Sequence, residues 1–462
     1  MTAPATTGPR PARPATAPVR PWHFPRLHRS VLDNGLTLLT CDRPGQEVLS
    51  AEIIVAVPLA LEPRELEGVV GITASALAEG VPGLDSLDFI HALEHCGATL
   101  GVGAEHTGLR ITLDVPGTHL EEALGLLTSA LRTPLFPARS VERLVGARAN
   151  AYVRNRADAE RRASMELHTA LFDAADRRSR PARGTDVTVR GIDRDAVAAF
   201  HHRFVRPAVS TVALAGDLAR YDVDAVLRRV LGTWEGEPGT LEAPPSPPVR
   251  DEAPVILVDR PGALQTRLVL GRVAPGRATP DWDALLIGNH SLGGSVNARL
   301  DRELREAKGY TYGFHSRLLG VVQDSLAVVT GAVETSVTAP ALNDITRILT
   351  EVADRGITEA ERAAAVAQIV DAAPLRYLTA SAVAEEMALL VLDGRDPASL
   401  PDAFRRAAAI TTEEASGALR SAFPPDGMVT VAIGDVSVFG EELRGNATAP
   451  VHLLRTGSSR LP

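Results

Sequence analysis

Short apolar runs and longer mixed stretches alternate along this chain. Residues 37–40 and 109–115 read as β-strands, the second with apolar and polar positions in strict alternation. Residues 120–131 and 141–156 are rich in Ala, Leu, Arg and Glu and read as helices. The spacing predicts a mixed α+β unit.

The pattern recurs. Cys41-Asp42-Arg43-Pro44-Gly45 leads into the run Ile53-Ile54-Val55-Ala56-Val57, and Val258-Asp259-Arg260-Pro261-Gly262 leads into Leu268-Val269-Leu270, with the two aspartates 217 positions apart. Residues 209–217 return, one residue shorter, as residues 428–435, with Asp217 and Asp435 218 positions apart. Two matches at nearly one offset predict a duplicated unit of roughly 200 residues. The expected domains are 26–235 and 255–445, joined by a Pro-rich linker at 236–254 that cannot be helical. A disordered Pro/Ala-rich tail over 1–25 and an irregular tail over 446–462 are expected to flank them.

Composition narrows the class. With 45% hydrophobic and 23% charged residues the chain is globular, which excludes wholesale disorder and collagen. No run approaches the ~18 apolar residues of a membrane span, and no secretory-type hydrophobic run opens the chain, so a cytoplasmic address is expected. The net charge of −9 is not gathered into blocks, which argues against nucleic-acid or membrane partners. The two cysteines, Cys41 and Cys96, are too few for a disulfide scaffold or a thiolate metal cage and are expected to be reduced.

His91-Ala92-Leu93-Glu94-His95 spells an inverted zinc-peptidase motif, in which two histidines one helical turn apart bind metal and the glutamate activates water. Asp85 or Ser86 can cap this helix and Gly97 lies just past its end. At about 100° per residue, Phe89, Ile90, Ala92, Leu93 and Cys96 share one side, while Asp88, His91, Glu94 and His95 share the other. A solvated amphipathic face is therefore expected rather than a metal site. Glu160 and Glu166 lie downstream, with nothing local to mark either as a third ligand. His201 and His202, at a helix end, read as surface or capping residues, and His290 has no accompanying ligand.

The ordered series Leu32-Asp33-Asn34-Gly35-Leu36, Gly68-Val69-Val70-Gly71, Pro134-Leu135-Phe136-Pro137 and the strand over 209–217 resembles the insulinase-like (pitrilysin) zinc peptidases. So do Leu292-Gly293-Gly294, Ala298-Arg299-Leu300 and the segment from Leu304 through Arg305 to Tyr312. The resemblance implies two homologous domains, each a mainly antiparallel sheet packed with helices, forming one half of a clamshell. It places the expected zinc ligands and base at Gly71, Ala74 and Ser75, and the third ligand near residues 148–151, which read Arg-Ala-Asn-Ala. None of these can bind zinc, and the motif at His91 falls one helix too late. Arg305 and Tyr312 match the family's arginine and tyrosine that reach the substrate carbonyl and the transition-state oxyanion.

Family members of this size commonly act as pairs in which one chain carries zinc and the other supplies that arginine and tyrosine. The implied reading is a non-zinc subunit with no cofactor of its own. Its expected partners are a zinc-bearing homologous subunit and a peptide substrate, with leader-peptide processing one such role. Two alternatives remain: an autonomous zinc endopeptidase built on His91, His95 and Glu94, and a scaffold that has lost all catalysis.

Overall fold

The computed structural model describes residues 22–321 and 324–455. One six-stranded sheet runs in the order Leu27–Val31, Thr37–Asp42, Ser210–Gly216, Val48–Val55, Gly108–Pro116, Thr99–Glu105. A second runs Val451–Arg455, Val255–Asp259, Val429–Gly434, Gln265–Pro275, Asp324–Glu334, Thr311–Val321, in which the last five strands repeat the order of the first sheet 200-odd residues later. The outer strand differs: Leu27–Val31 precedes its sheet and is antiparallel to its neighbour, whereas Val451–Arg455 follows its sheet and is parallel. Thr37–Asp42 lies parallel to Ser210–Gly216, as Val255–Asp259 does to Val429–Gly434. The central Val48–Val55 and Gln265–Pro275 are antiparallel to both neighbours. The expectation of two α+β halves, each built on a mainly antiparallel sheet, is met.

The repeated sequences have a common structural cause. Each Asp-Arg-Pro-Gly turn hangs on the end of the strand beside it. Arg43 N–H donates to the Gly216 carbonyl at 2.6 Å, and Arg260 N–H to the Gly434 carbonyl at 2.8 Å. Gly45 N–H donates to Asp217 Oδ2 at 3.0 Å, and Gly262 N–H to Asp435 Oδ2 at 2.8 Å. Gly45 and Gly262 turn at φ +80° and +77°, which a side chain disfavours.

Each sheet buries one face against helices of its own half, forming two large cores. The opposite faces are covered by an exchange. Helix Ala159–Leu171 of the first half lies on the second sheet, where Ala163, Leu167 and Phe172 pack with Val258, Val269 and Val431. Helix Ala380–Leu392 of the second half lies on the first sheet, where Val383, Ala384 and Met387 pack with Leu39, Cys41 and Ala213. Gly271 permits the first contact, since a Cβ there would meet Leu167 Cδ2 at 2.7 Å. Arg110–Glu385 and Arg267–Glu160 ion pairs cross between the halves.

Residues 236–254 hold no helix or strand, and the Arg206 guanidinium donates to the Glu237 and Pro238 carbonyls. Both tails need correction. Within 446–462, Val451–Arg455 joins the second sheet parallel to Val255–Asp259, because that strand's outer edge is open and a five-residue segment needs only such an edge to pair. Within 1–25, Trp22 stacks on Tyr377 at 6.0 Å and Phe24 packs edge-on to the same ring at 5.1 Å. Two aromatic rings bury too much apolar surface to stay in water when a matching groove exists. The rest of both tails, 1–21 and 456–462, lies outside the described residues. No helix among the described residues is long and apolar enough to cross a membrane.

Candidate functional site

The helix where the resemblance places a zinc motif is Val69–Ala76. It starts at Gly68, φ +104°, where a Cβ would meet the Arg183 carbonyl at 2.8 Å. Its first N–H groups are satisfied by a buried carboxylate: Glu62 Oε1 accepts from Gly68 N–H at 3.0 Å and Val70 N–H at 3.1 Å. Arg177 pairs with the other Glu62 oxygen at 2.8 Å and donates to the carbonyls of Arg180, Pro181 and Ala182. Burial nonetheless pushes the Glu62 carboxyl up, against the pull of Arg177.

This well-built helix carries no metal donor on the expected positions. Gly71 has no side chain, Ala74 is buried and aliphatic, and the Ser75 hydroxyl turns back to donate to the Gly71 carbonyl at 3.0 Å. The neighbouring helix Ala138–Ala157 presents Arg148, a cation, where the third ligand is expected. Zinc does not fit this residue set, since two positions offer no donor atom and the third residue is positively charged.

The His91-x-x-Glu94-His95 motif lies on helix Ser86–His95, where the Asp85 carboxylate accepts from Leu87 and Asp88 N–H and caps the first turn. Phe89, Leu93 and Cys96 are buried, while Asp88, His91, Glu94 and His95 are exposed, as the helical spacing indicated. Neither downstream glutamate is free to join them: Glu160 pairs with Arg267 at 2.7 Å and Glu166 with Arg162 at 2.7 Å. Among the described residues, the His/Cys/carboxylate group close enough to share an ion is instead Cys96, His119 and Glu122, which includes no motif residue. Burial and the Glu122 carboxylate raise the Cys96 thiol, which keeps it protonated.

His201 is not a surface residue. It is buried and its Nε2 meets the Leu131 carbonyl at 2.9 Å, so it closes the end of helix Leu120–Arg132. Both cysteines are free and buried.

Arg305 and Tyr312 lie on two elements that touch at the edge of the second sheet, the turn Arg302–Ala307 and the strand Thr311–Val321. Arg305 sits in the π-helical turn Arg302–Ala307, half exposed, 3.5 Å from the buried carboxylate of Asp301. Asp301 also accepts from Phe314 N–H at 2.7 Å, which ties the helix to the strand that follows. Gly309, φ +67°, makes the turn between them. Strand Thr311–Val321 begins with a break in register between Thr311 and Phe314, held open by the Thr311 hydroxyl, which meets Gly313 N–H and donates to the Ala332 carbonyl. Such bulges re-aim side chains. Tyr312, inside this irregularity, is 92% exposed. π-turns and bulges both concentrate at functional sites.

An open cavity of about 270 Å³ lies beside Arg148. Arg148, Tyr152 and Asn155 reach it from one face of helix Ala138–Ala157, and Arg161 and His168 from one face of helix Ala159–Leu171. Arg183 closes it, and the Arg148 Nε–H donates to the Arg183 carbonyl at 3.1 Å. Burial, then Arg183 and Arg161, lower the Arg148 guanidinium to about 10. His106, also on the wall, is lowered to about 4 by burial first, then by His168, Arg177 and Arg178. The i, i+4, i+7 spacing of Arg148, Tyr152 and Asn155 was the only trace of this in the sequence.

Comparison with known proteins agrees with this picture. Residues 191–369 match the family described as Peptidase M16 inactive domain. An uncharacterized zinc protease of Mycobacterium leprae is 27% identical over 338 residues, covering 72% of this chain and 75% of that protein. The fold matches that of a peptidase M16 inactive domain from Pseudomonas fluorescens, with a TM-score of 0.82 at 23% identity over 88% of this chain and 98% of that one. It also matches the periplasmic protease PqqL of Escherichia coli, with a TM-score of 0.75 at 15% identity over 92% of this chain and 48% of that one.

Proposed function

We propose that this chain, whose residues 191–369 match the family described as Peptidase M16 inactive domain, is the non-zinc subunit of a two-chain peptidase and supplies Arg305 and Tyr312 to the zinc site of a homologous partner. The observation that carries this reading is Tyr312: a phenol 92% exposed on an irregular edge strand, seven residues after a half-exposed guanidinium that pairs with a buried aspartate. A ring so placed serves no core of its own chain. A phenol and a guanidinium are fixed donors suited to a substrate carbonyl as negative charge develops on it.

Zinc is assigned to the partner, because the residue set on Val69–Ala76 offers no ligands. Thr99–Glu105 and Thr311–Val321 are edge strands with one side free of a strand neighbour among the described residues, and an extended peptide can add to such an edge by main-chain hydrogen bonds. Leader segments of modified peptides are the substrate we favour. The two free buried thiols suit a reducing compartment, and we place the pair in the cytoplasm.

The test is peptidase activity of this chain alone and mixed with a zinc-bearing homologous chain. The single chain is expected to be inactive. In the mixture, Arg305→Ala and Tyr312→Phe each lower kcat/KM by about 100-fold or more while the pair still co-elutes on size exclusion. Unchanged activity in both variants replaces this reading with a scaffold. Full activity in isolation, lost on His91→Ala, replaces it with an autonomous zinc peptidase.

A further inference from the structure

The cavity beside Val69–Ala76 holds an excess of positive charge that the fold leaves unbalanced. Arg180, on its wall, is neutralised by Glu67 at 2.8 Å. Arg148, Arg161 and Arg183 make no ion pair with a carboxylate among the described residues. Asp158, next to Arg161, accepts from the Arg161 backbone N–H as a helix cap. Burial first, and then the neighbouring Arg183 and Arg161, depress the Arg148 guanidinium, so this half-buried charge carries a cost beside two solvent-exposed like charges. A bound anion removes it.

The remaining wall suits the same ligand. Tyr152, mostly buried, also lines the cavity and adds a phenol that can donate a hydrogen bond. His168 Nδ1 meets the Arg178 carbonyl at 3.0 Å, so that nitrogen carries the proton and the ring is fixed. His106, which stacks on His168 at 6.3 Å, directly follows the edge strand Thr99–Glu105. The cavity therefore opens at the end of an edge that can hold an extended chain.

We propose that this cavity is an oxyanion-binding site whose occupant is a carboxylate of a bound peptide, gripped by Arg148, Arg161 and Arg183. The carboxylate belongs either to a free C-terminus or to an acidic side chain. Charge-assisted guanidinium contacts of this kind are short and directional. The peptide occupant rests on the function proposed above, whereas the anion chemistry follows from the cavity alone. In this chain a cationic grip stands where a metal-binding relative is expected to place its third ligand.

The experiment is isothermal titration of the purified full-length chain, without partner, against an acetylated Gly/Ser octapeptide in three forms. These are the free acid, the C-terminal amide, and the amide with one internal glutamate, with inorganic phosphate as competitor. At least one carboxylate-bearing form is expected to bind 10-fold or more tightly than the plain amide, and phosphate is expected to displace it. The form that binds identifies the source of the carboxylate. Arg161→Gln and Arg183→Gln each abolish that preference with an unchanged melting curve, and Arg148→Lys retains part of it. Equal binding of all three forms, no binding of any, or indifference to the arginine variants overturns the proposal. Phosphate that binds without displacing peptide overturns the peptide occupant. Because partner and catalysis are absent, failure here leaves the test of paired activity standing, and failure there leaves this one standing.

Discussion

His106 and His168 stack nearly parallel, 6.3 Å apart and 7° from coplanar, in surroundings that hold both below the ordinary histidine range. Both are neutral in the folded protein near pH 7, with burial the main cause and, for His106, His168 the second, ahead of Arg177 and Arg178. Between pH about 6.5 and 4 the unfolded chain binds more protons at His106 than the folded one. Stability from this residue is thus complete above pH 6.5 and declines as the pH falls toward 4, by on the order of 3 kcal/mol. His106→Gln is expected to flatten that acid limb, measured as urea unfolding free energy at pH 7 and pH 4.5. An unchanged slope assigns the acid sensitivity to other groups. Which face His91, Glu94 and His95 occupy was legible from helical periodicity alone. That His201 is buried was not, because its partner is the Leu131 carbonyl, 70 residues away.

At the scale of the element, the repeated Asp-Arg-Pro-Gly turn was visible as letters, and the structure supplies its reason. Both copies dock on the end of a neighbouring strand through the same three groups: an arginine N–H, a glycine N–H and a distant aspartate. Gly45 and Gly262 have open space where a Cβ would go, so substitution is penalised by backbone conformation alone. Gly45→Ala and Gly262→Ala are each expected to cost about 1 kcal/mol, nearly equal and additive in the double variant, by chemical denaturation. A much larger loss in one copy breaks the equivalence of the two turns. The strand Val451–Arg455 was illegible because its five residues carry no pattern of their own and form a strand only against Val255–Asp259.

For the whole molecule, the exchange of helices Ala159–Leu171 and Ala380–Leu392 makes each half a structural part of the other. Leu167→Ala and Met387→Ala each empty a fully buried position on the shared faces and are expected to destabilise by about 2–4 kcal/mol. Trp234 lies in the first core and Trp282 in the second, so fluorescence of single-tryptophan variants reads each half separately. One common midpoint is expected, and two separate transitions would show that the halves unfold independently. The sequence by itself determined the duplication, the α+β character and the polar face of the His91 helix, because each follows from repetition or local periodicity, whereas Gly71, Ala74 and Ser75 were singled out only by the resemblance to a known family. Only the tertiary structure decided that helices are exchanged between halves, that Tyr312 stands exposed on an irregular edge strand, and that Arg148, Arg161 and Arg183 share one cavity. Those features arise where segments far apart in sequence meet, and no local pattern records which distant surface a segment will find.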